Sequence, residues 1–437
     1  MTTLLLEHAV VDGVVQRDVV VTVAGGVITA VGPSSGSGTS GGSGTSGGSG
    51  TSVVERVPGL TIPGLANCHS HAFHRALRGH TQTERGSFWT WREQMYRVAE
   101  ELTPDSYFEL ARRTYAEMVA TGITAVGEFH YLHHQADGSS YDDPNEMGRA
   151  LLAAADDAGI RIRLLDTCYL AAGIGREPEG VQRRFSDGDA TRWAERVEAF
   201  DDERVGAAIH SVRAVPRDQL GTVAAWAQER AKPLHVHLSE QVAENEQCLQ
   251  AYHLTPTELL AEEGVLGPLT SAVHATHLTD NDIRLLGDSG TWACFCPTTE
   301  RDLADGIGPS VALARAGARL TLGSDSHAVI DLFEEMRAVE MHERLATQQR
   351  GHWSAAELLA AATYDGNKSL GFDDTGRIAL GQRADLVTID LESWRTRDTG
   401  ASCETVVFAA TGADVTRSTA GPRGEKDDCS TGPEEDR

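Results

Sequence analysis

Between residues 60 and 323, short apolar runs alternate with longer segments that carry helix signals. Pro104, Pro144 and Pro216 each begin such a segment, and proline is favoured in the first turn of a helix. Strands that alternate with helices predict βαβ units and a parallel sheet. Eight units over about 270 residues match the usual size of a (β/α)8 barrel, so we predict an α/β protein with a barrel over residues 59–372. The eight apolar runs lie at 60–66, 123–129, 160–165, 205–209, 234–238, 272–275, 292–296 and 320–323.

Both ends of the chain have a different pattern. Residues 4–31 are rich in β-formers and are broken at Asp12-Gly13 and Gly25-Gly26, and β-character returns between 376 and 390. We expect 1–58 and 373–411 to form a small β-sandwich domain beside the barrel, and Val406–Phe408 is compatible with one more strand. Residues 34–52 are almost entirely Gly, Ser and Thr and predict a flexible loop. The polar stretch 412–437 predicts a disordered tail.

Composition narrows the classes of function. The net charge of −26 argues against a nucleic-acid partner, which would need clustered Lys and Arg. The seven scattered cysteines predict reduced thiols in a cytoplasm, and Cys294 and Cys296 are too close for an easy bridge. The N-terminus has no basic segment typical of a signal peptide, and no apolar run approaches the roughly 20 residues of a membrane span.

Histidines and carboxylates recur where the predicted strands end, which is where barrel active sites lie. The first run ends in His69-Ser70-His71, an alternation that points both imidazoles to one face of an extended backbone. A mononuclear catalytic site needs three or four ligands and a position for water. We therefore predict a divalent metal site formed by His69, His71, His237 and Asp325.

Other candidates surround this set. Glu240 follows His237 by three residues and is placed to act as a proton shuttle rather than as a ligand. His235 is interpreted as a packing residue that lines the barrel or the site. His133, His134 and His342 are interpreted as surface residues.

With these motifs the sequence resembles the amidohydrolase superfamily, in its mononuclear, deaminase-like branch. The resemblance is carried by His69-Ser70-His71, His237 with Glu240, His274 and Gly323-Ser324-Asp325. The fourth run ends in His210 without a lysine, which differs from the dinuclear type bridged by a carbamylated lysine. Residues 378–390 resemble the C-terminal signature of that superfamily.

In more detail, the chain is similar to the formimidoylglutamate deiminases over roughly residues 58–390. The resemblance is carried by 67–73, 88–92, 127–134, 210–213 and Cys296-Pro297-Thr298-Thr299-Glu300. It implies hydrolysis of N-formimino-L-glutamate to N-formyl-L-glutamate and ammonia in histidine breakdown, with zinc as the usual metal. It also implies catalytic roles for Glu240, His274 and Asp325. The family often has glutamine at His74, and its implied substrate-binding residues are His74, Arg92, Tyr131, His210 and Arg213.

Two alternatives remain open at this stage. One is a deaminase of the same branch that acts on a purine or pyrimidine. The two arginines favour an acidic, flexible substrate instead, since guanidinium groups form paired bonds with carboxylates. The other is a metal-binding barrel without activity, in which Glu240 and His274 would have no obvious use. We expect a cytoplasmic homodimer with a small acidic substrate and neither nucleic-acid nor membrane partners.

Overall fold

The structure, a computed structural model, describes residues 1–34, 54–82 and 88–420. The predicted flexible tract after Ser34 and the end of the chain beyond residue 420 lie outside the described residues. The described part contains two sheets. Their strands are β1 (Thr2–Val11), β2 (Val14–Ala24), β3 (Val27–Pro33), β4 (Val54–Pro63), β5 (Leu65–Ser70), β6 (Ile123–His130), β7 (Arg161–Cys168), β8 (Val205–Ile209), β9 (Leu234–Leu238), β10 (Thr270–His274), β11 (Trp292–Phe295), β12 (Arg319–Leu322), β13 (Leu386–Ile389) and β14 (Val415–Thr419).

The predicted barrel is confirmed. Strands β5 to β12 form one eight-stranded sheet in chain order, and every neighbouring pair runs parallel. The first and last strands meet through a parallel bridge between Ser70 and Asp325. Since the carboxyl ends of parallel strands share one edge, residues distant in the chain meet there.

Helices fill the connections between these strands. Several begin as the sequence predicts, for example at Pro104, where the preceding Thr103 accepts a hydrogen bond from the Ser106 backbone N–H. Among the described helices, none is both long and apolar enough to cross a bilayer. The helices are α1 (Phe88–Glu101), α2 (Pro104–Ala120), α3 (Glu146–Ala158), α4 (Ala190–Glu198), α5 (Arg217–Glu229), α6 (Val242–Tyr252), α7 (Pro256–Glu262), α8 (Asp280–Ser289), α9 (Pro297–Asp302), α10 (Ser310–Ala316), α11 (Leu332–Thr347), α12 (Ala355–Ala362), α13 (Tyr364–Ser369) and α14 (Cys403–Phe408), with 3₁₀ turns at Ala72–Leu77, Gly180–Phe185 and Gly412–Asp414.

The second sheet takes strands from both ends of the chain, in the order β14-β13-β4-β1-β2-β3. It has its own apolar core, in which Leu6, Val21 and Ile28 from the start of the chain pack with Leu386 from its end. The expected joining of the two chain ends is therefore observed. The two sheets are directly connected, because β4 of this sheet is followed in the chain by β5 of the barrel.

The first apolar run was predicted as one barrel strand over Leu60–Ala66, and this is wrong. Its first half belongs to β4, where Leu60 pairs with Ile389 in the other sheet. The chain crosses between the sheets at Gly64, where a Cβ atom would lie 2.1 Å from Oγ1 of Thr124. A continuous apolar run cannot mark this crossing, because both sheets bury it equally.

Two predictions for the C-terminal part also need correction. Val406–Phe408 lies in α14 rather than in a strand, because the Ser402 side chain caps the Thr405 backbone N–H and starts a helix. The last strand is instead β14, which lies within 412–437, the stretch that was predicted as a disordered tail. This strand pairs with β13. Polar composition misled here, since an edge strand beside β13 needs few apolar residues.

His133 and His134 are buried, so the prediction that they lie at the surface is wrong, whereas His342 is half-buried. The backbone N–H groups of both residues donate to the carbonyl of Arg184, which packs the loop after β6 under the 3₁₀ turn Gly180–Phe185. The ring of His134 lies 3.1 Å from Asp187. This long-range packing has no local sequence signal.

Arg196 is the centre of a buried ion-pair network beneath that loop. Its Nη1 and Nη2 donate to Asp166 at 2.9 and 2.8 Å, and its Nε donates to Asp187 at 2.8 Å. His130, His133 and Asp166 lie close enough together to hold a metal. However, both Asp166 oxygens already accept from Arg196, and Trp193 Nε1 adds a third bond at 3.1 Å. We interpret this cluster as structural.

We expect Arg196→Met to lower the free energy of unfolding by roughly 3–5 kcal/mol, because it leaves two buried carboxylates without their cation. Urea denaturation followed by circular dichroism measures the change. Arg192→Met is the matched control, since Arg192 is exposed on the same helix, and we expect a change within about 0.5 kcal/mol. Equal losses in the two variants would contradict the role of the network.

The same network predicts a pH dependence of stability. Burial alone would raise the pKa of Asp166, but Arg196 and the neighbouring histidines hold it below its usual range. A carboxyl group with a lowered folded-state pKa stabilises the fold above its unfolded pKa of about 3.9, and this contribution disappears as the pH falls through the folded-state value. In Arg196→Met this contribution is already absent at neutral pH, so the difference in unfolding free energy between wild type and variant should shrink as the pH falls below about 3.9, which urea denaturation at several pH values measures.

Candidate metal centre and active site

Four predicted ligands converge at the mouth of the barrel. His69 lies near the end of β5 and His71 just after it, His237 lies on β9, and Asp325 follows β12. Nε2 of His237 lies 3.0 Å from Nε2 of His69 and 3.4 Å from Nε2 of His71. Oδ1 of Asp325 lies 3.4 Å from Nε2 of His69 and 3.4 Å from Nε2 of His71. Tetrahedral ligands about 2.0–2.1 Å from zinc stand roughly 3.3 Å apart, so this set fits a divalent ion.

Backbone carbonyls orient two of the imidazoles. Nδ1 of His71 lies 2.9 Å from the Phe129 carbonyl, and Nδ1 of His237 lies 2.8 Å from the His210 carbonyl. A carbonyl only accepts, so each Nδ1 carries the proton and each Nε2 presents its lone pair to the centre of the cluster. Histidine ligands of metals are commonly held in this way.

Asp325 is held by the loop that closes the barrel. Its backbone N–H donates to the His69 carbonyl at 2.9 Å, and the His71 N–H donates to its carbonyl at 3.2 Å. Its φ of 45° is left-handed, a conformation that non-glycine residues adopt at a cost. The preceding Gly323 packs against His69, since a Cβ there would lie 2.8 Å from the His69 Cβ.

The electrostatics of the four ligands also suit a cation. Burial, followed by the neighbouring His69, lowers the pKa of His71 to about 3, so its ring is neutral at neutral pH. Burial also lowers the pKa values of His69 and His237. Burial would raise the pKa of Asp325, but the hydrogen bond with His69 and the nearby imidazoles hold it below its usual range. Three neutral imidazoles and one carboxylate are good ligands for zinc.

Glu240 and His274 lie beside this cluster, as predicted for groups that handle protons. Nε2 of His274 lies 3.9 Å from Oε1 of Glu240 and 3.7 Å from Oδ2 of Asp325. Burial raises the pKa of Glu240. Burial opposes protonation of His274, but Glu240 and the neighbouring carboxylates Glu300 and Asp325 raise its pKa well above the usual value. The arrangement therefore pairs a cationic imidazole with a carboxyl group that can carry a proton.

The residues predicted to bind substrate line one cavity together with three of the metal ligands, His71, His237 and Asp325. This cavity holds about 570 Å³ of space, part of it open to solvent. Nε2 of His74 lies 3.0 Å from the Tyr131 hydroxyl. Arg213 donates from Nε to Glu244 at 2.9 Å and lies 4.0 Å from Glu240. The predicted residues on its wall are His74, Arg92, Tyr131, His210 and Arg213.

Several residues of the site were not singled out in the sequence. Glu300 lies in the CPTTE motif, which supported the family resemblance but did not predict a role for this residue. Its Oε1 lies 3.4 Å from Nδ1 of His274. Glu244 holds Arg213 and has no motif. His235 is buried on β9, two residues before His237 on the same face of the strand, and neither of its ring nitrogens has a hydrogen-bond partner within the described residues, which agrees with its interpretation as a packing residue that lines the barrel. The cavity wall also includes Trp91, Met95, Tyr96, Tyr169, Phe185 and Leu303.

The comparison with known proteins agrees with this geometry. The pattern of the Amidohydrolase family matches residues 60–418. The chain belongs to the amidohydrolase family. A formimidoylglutamate deiminase from Pseudomonas aeruginosa is 38% identical over 354 residues, 77% of each chain. A 5-methylthioadenosine/S-adenosylhomocysteine deaminase from Natronomonas pharaonis is 28% identical over 83% of this chain and 80% of that one.

Solved structures show the same fold. An amidohydrolase from Brucella melitensis superposes with a TM-score of 0.81 at 30% identity and covers 95% of this chain and 94% of its own. An adenosine deaminase from Xanthomonas campestris with bound zinc gives 0.79 at 24% identity, over 96% and 91%. Within this family the chain is a metal-dependent hydrolase of the deaminase type that acts on C–N bonds.

Proposed function

We propose that this amidohydrolase hydrolyses N-formimino-L-glutamate to N-formyl-L-glutamate and ammonia. The observation that carries the proposal is a single cavity that joins three of the four metal ligands, His71, His237 and Asp325, to Arg92 and Arg213. Two guanidinium groups suit a substrate with two carboxylates. The resemblance of the chain to a formimidoylglutamate deiminase supports the same substrate.

We propose that His69, His71, His237 and Asp325 hold zinc. A bound divalent metal lowers the pKa of water, so that hydroxide is available as a nucleophile near neutral pH. The two oxygens of the Asp325 carboxylate have different neighbours. Its Oδ1 faces His69 and His71, whereas its Oδ2 faces His274, 3.7 Å away. Oδ2 is thus placed to accept the proton of the attacking water while His274 orients that water.

Glu240 then moves a proton to the leaving nitrogen. Burial raises its pKa, which favours the protonated form, and its Oε1 lies 3.9 Å from Nε2 of His274. Attack of water on the formimino carbon forms a C–O bond, and protonation of the terminal nitrogen by Glu240 allows the C–N bond to break and ammonia to leave. The carbon stays at the oxidation level of formic acid and remains attached to the amino nitrogen of glutamate as a formyl group.

We expect Arg92→Ala and Arg213→Ala each to lower kcat/KM for N-formimino-L-glutamate by roughly 10- to 100-fold. A hydrogen bond to a charged group contributes roughly 1.5–3 kcal/mol, and one factor of ten corresponds to about 1.4 kcal/mol. Steady-state kinetics of ammonia release measure the effect. Exposed Arg284→Ala is the control, and we expect no change. Unchanged turnover in both site variants would contradict the assignment of an acidic substrate.

A second candidate is deamination of an adenosine-type substrate. Tyr131, Tyr169 and Phe185 give one side of the cavity an aromatic wall, which a purine ring would use. A deaminase of such compounds is also among the relatives. The deciding experiment measures ammonia release from N-formimino-L-glutamate, N-formimino-L-aspartate, 5-methylthioadenosine, guanine and cytosine. Preferred turnover of any of the last three would overturn the proposed function.

A further inference from the structure

A buried histidine beside the metal ligands has no role in the chemistry described above. His327 lies two residues after Asp325 and is fully buried. Its Nδ1 lies 3.0 Å from the Ser324 hydroxyl, and its Nε2 lies 3.0 Å from the Ser70 hydroxyl. Ser324 immediately precedes the ligand Asp325, and Ser70 stands between the two histidine ligands at the end of β5. The ring of His327 thus joins two segments that carry three of the four ligands.

The hydrogen bonds around His327 have one consistent direction. The Ser324 backbone N–H can only donate, so the atom that it meets at 2.9 Å is the amide oxygen of Asn67, and Nδ2 of Asn67 donates to the Ser324 hydroxyl at 2.7 Å. The proton of the Ser324 hydroxyl then faces Nδ1 of His327, which accepts it. Nε2 of His327 therefore carries the ring proton and donates to Ser70.

Glu128 fixes the far end of this network on the neighbouring strand β6. It is fully buried, its Oε1 accepts the Ala72 backbone N–H at 2.7 Å, and its Oε2 lies 2.6 Å from the Ser70 hydroxyl. The carboxyl group thus holds the residues on both sides of His71. Burial raises the pKa of Glu128 to about 8, and its three hydrogen bonds, the third from Tyr115, oppose this shift. The contact with Ser70 is a hydrogen bond in either state, since a carboxylate accepts from the hydroxyl and a carboxylic acid can donate to it.

The loop that carries Asp325 has an unusual backbone that needs support. Asp325 and His327 are both left-handed, with φ of 45° and 58°. Such conformations persist only where the surrounding structure holds them. Here the His327 backbone N–H donates to the Ser324 carbonyl at 3.0 Å, and Nε of Arg78 donates to the His327 carbonyl at 2.6 Å. The side chain of His327 then ties this loop to β5.

We infer that His327 is a positioning residue of the metal centre, which holds the Asp325 carboxylate at its distance from the paired imidazoles by linking Ser324 to Ser70. Side chains alternate along an extended backbone, so Ser70 points to the opposite face of the chain from the two imidazoles. The link therefore supports the ligands from behind. His327 is not among the described residues that line the cavity, so it acts without touching substrate. The inference rests on the zinc site within the proposed function.

The test measures how tightly the zinc-loaded protein holds its metal. His327→Leu keeps a side chain of similar size and removes both hydrogen bonds of the ring. We expect its dissociation constant for zinc, measured by competition with a chromophoric chelator, to rise by roughly tenfold or more, as for other residues that orient metal ligands. The amide of His327→Gln can still donate to Ser70, so this variant should recover part of the affinity. His235→Leu removes an equally buried imidazole and should leave the constant unchanged.

Serine variants test the two ends of the link with little loss of volume. Ser70→Ala and Ser324→Ala each remove one partner of His327, and each should weaken zinc binding. Because both act through the same ring, the double variant should weaken it by less than the product of the two single effects. Ser271→Ala is the matched control, since Ser271 is equally buried on β10 and its hydroxyl has no hydrogen-bond partner within the described part of the chain. Independent effects of the two site serines would contradict the link.

The outcomes separate this inference from the proposed function. A normal zinc constant in His327→Leu, whatever its stability to urea in excess chelator, would show a purely structural histidine and overturn the inference while the proposed function stands. If this variant does not fold, the serine variants decide in its place. A wild type that binds zinc but releases no ammonia from N-formimino-L-glutamate removes the proposed substrate, and the zinc constants still decide the inference. A wild type that binds no zinc overturns the metal centre and the inference together.

Discussion

Glu240→Gln is expected to lower kcat by roughly a hundredfold to ten-thousandfold, the usual contribution of a group that transfers protons in the transition state. Glutamine keeps the size of the side chain and its contact with Arg213, but it cannot carry a proton to the leaving nitrogen. Glu240 lies near His274 rather than among the four metal ligands. The variant should therefore retain a full equivalent of metal, measured by atomic emission after gel filtration.

The matched control is Glu246→Gln, an exposed position on the helix that follows. We expect wild-type kinetics for this variant. A Glu240→Gln enzyme that keeps both its metal and its kcat would remove the proton-transfer role. Loss of metal together with activity would instead place Glu240 among the ligands.

His237→Leu should abolish both metal binding and turnover. His237 provides one of the three imidazoles. Mutation of a residue that only hydrogen-bonds to a metal ligand already lowers metal affinity by about 10- to 100-fold. Removal of a ligand should therefore lower the affinity by more than this. Binding of an ion only by the folded state stabilises it by about 4 kcal/mol at a concentration 1,000 times the Kd. A chelator should therefore lower the Tm of the wild type and leave that of His237→Leu unchanged.

His235→Leu provides the control, because His235 is also buried on β9, two residues before His237, and is not one of the four metal ligands. Neither ring nitrogen of His235 has a hydrogen-bond partner within the described part of the chain, so an apolar residue of similar size should be tolerated. We expect wild-type metal content and activity. Equal metal content in the two leucine variants would contradict the proposed centre.

The alternation of apolar runs and helices was enough to predict the barrel, because each βα unit repeats the same local pattern. Residues such as His69, His237 and Asp325 could be selected from sequence, since strand ends in a barrel share one edge. Their convergence, with all ligand atoms within 4.8 Å of one another, required the structure. The division of the first apolar run at Gly64 was missed, because burial in either sheet selects the same residues.

The burial of His133 and His134 and the contact of Glu244 with Arg213 were also missed. Each depends on contacts between segments tens of residues apart, such as the 3₁₀ turn Gly180–Phe185 against α1. The CPTTE motif was visible, but only the 3.4 Å contact of Glu300 with His274 suggests what its glutamate does.

The sequence by itself determined the class of fold, the family and the types of side chain available at the barrel mouth, because periodicity and local motifs are properties of neighbouring residues. Only the tertiary structure decided which imidazole nitrogens face one another and which carboxylate oxygen faces His274. These features depend on distances and directions between strands, and no one-dimensional pattern encodes them.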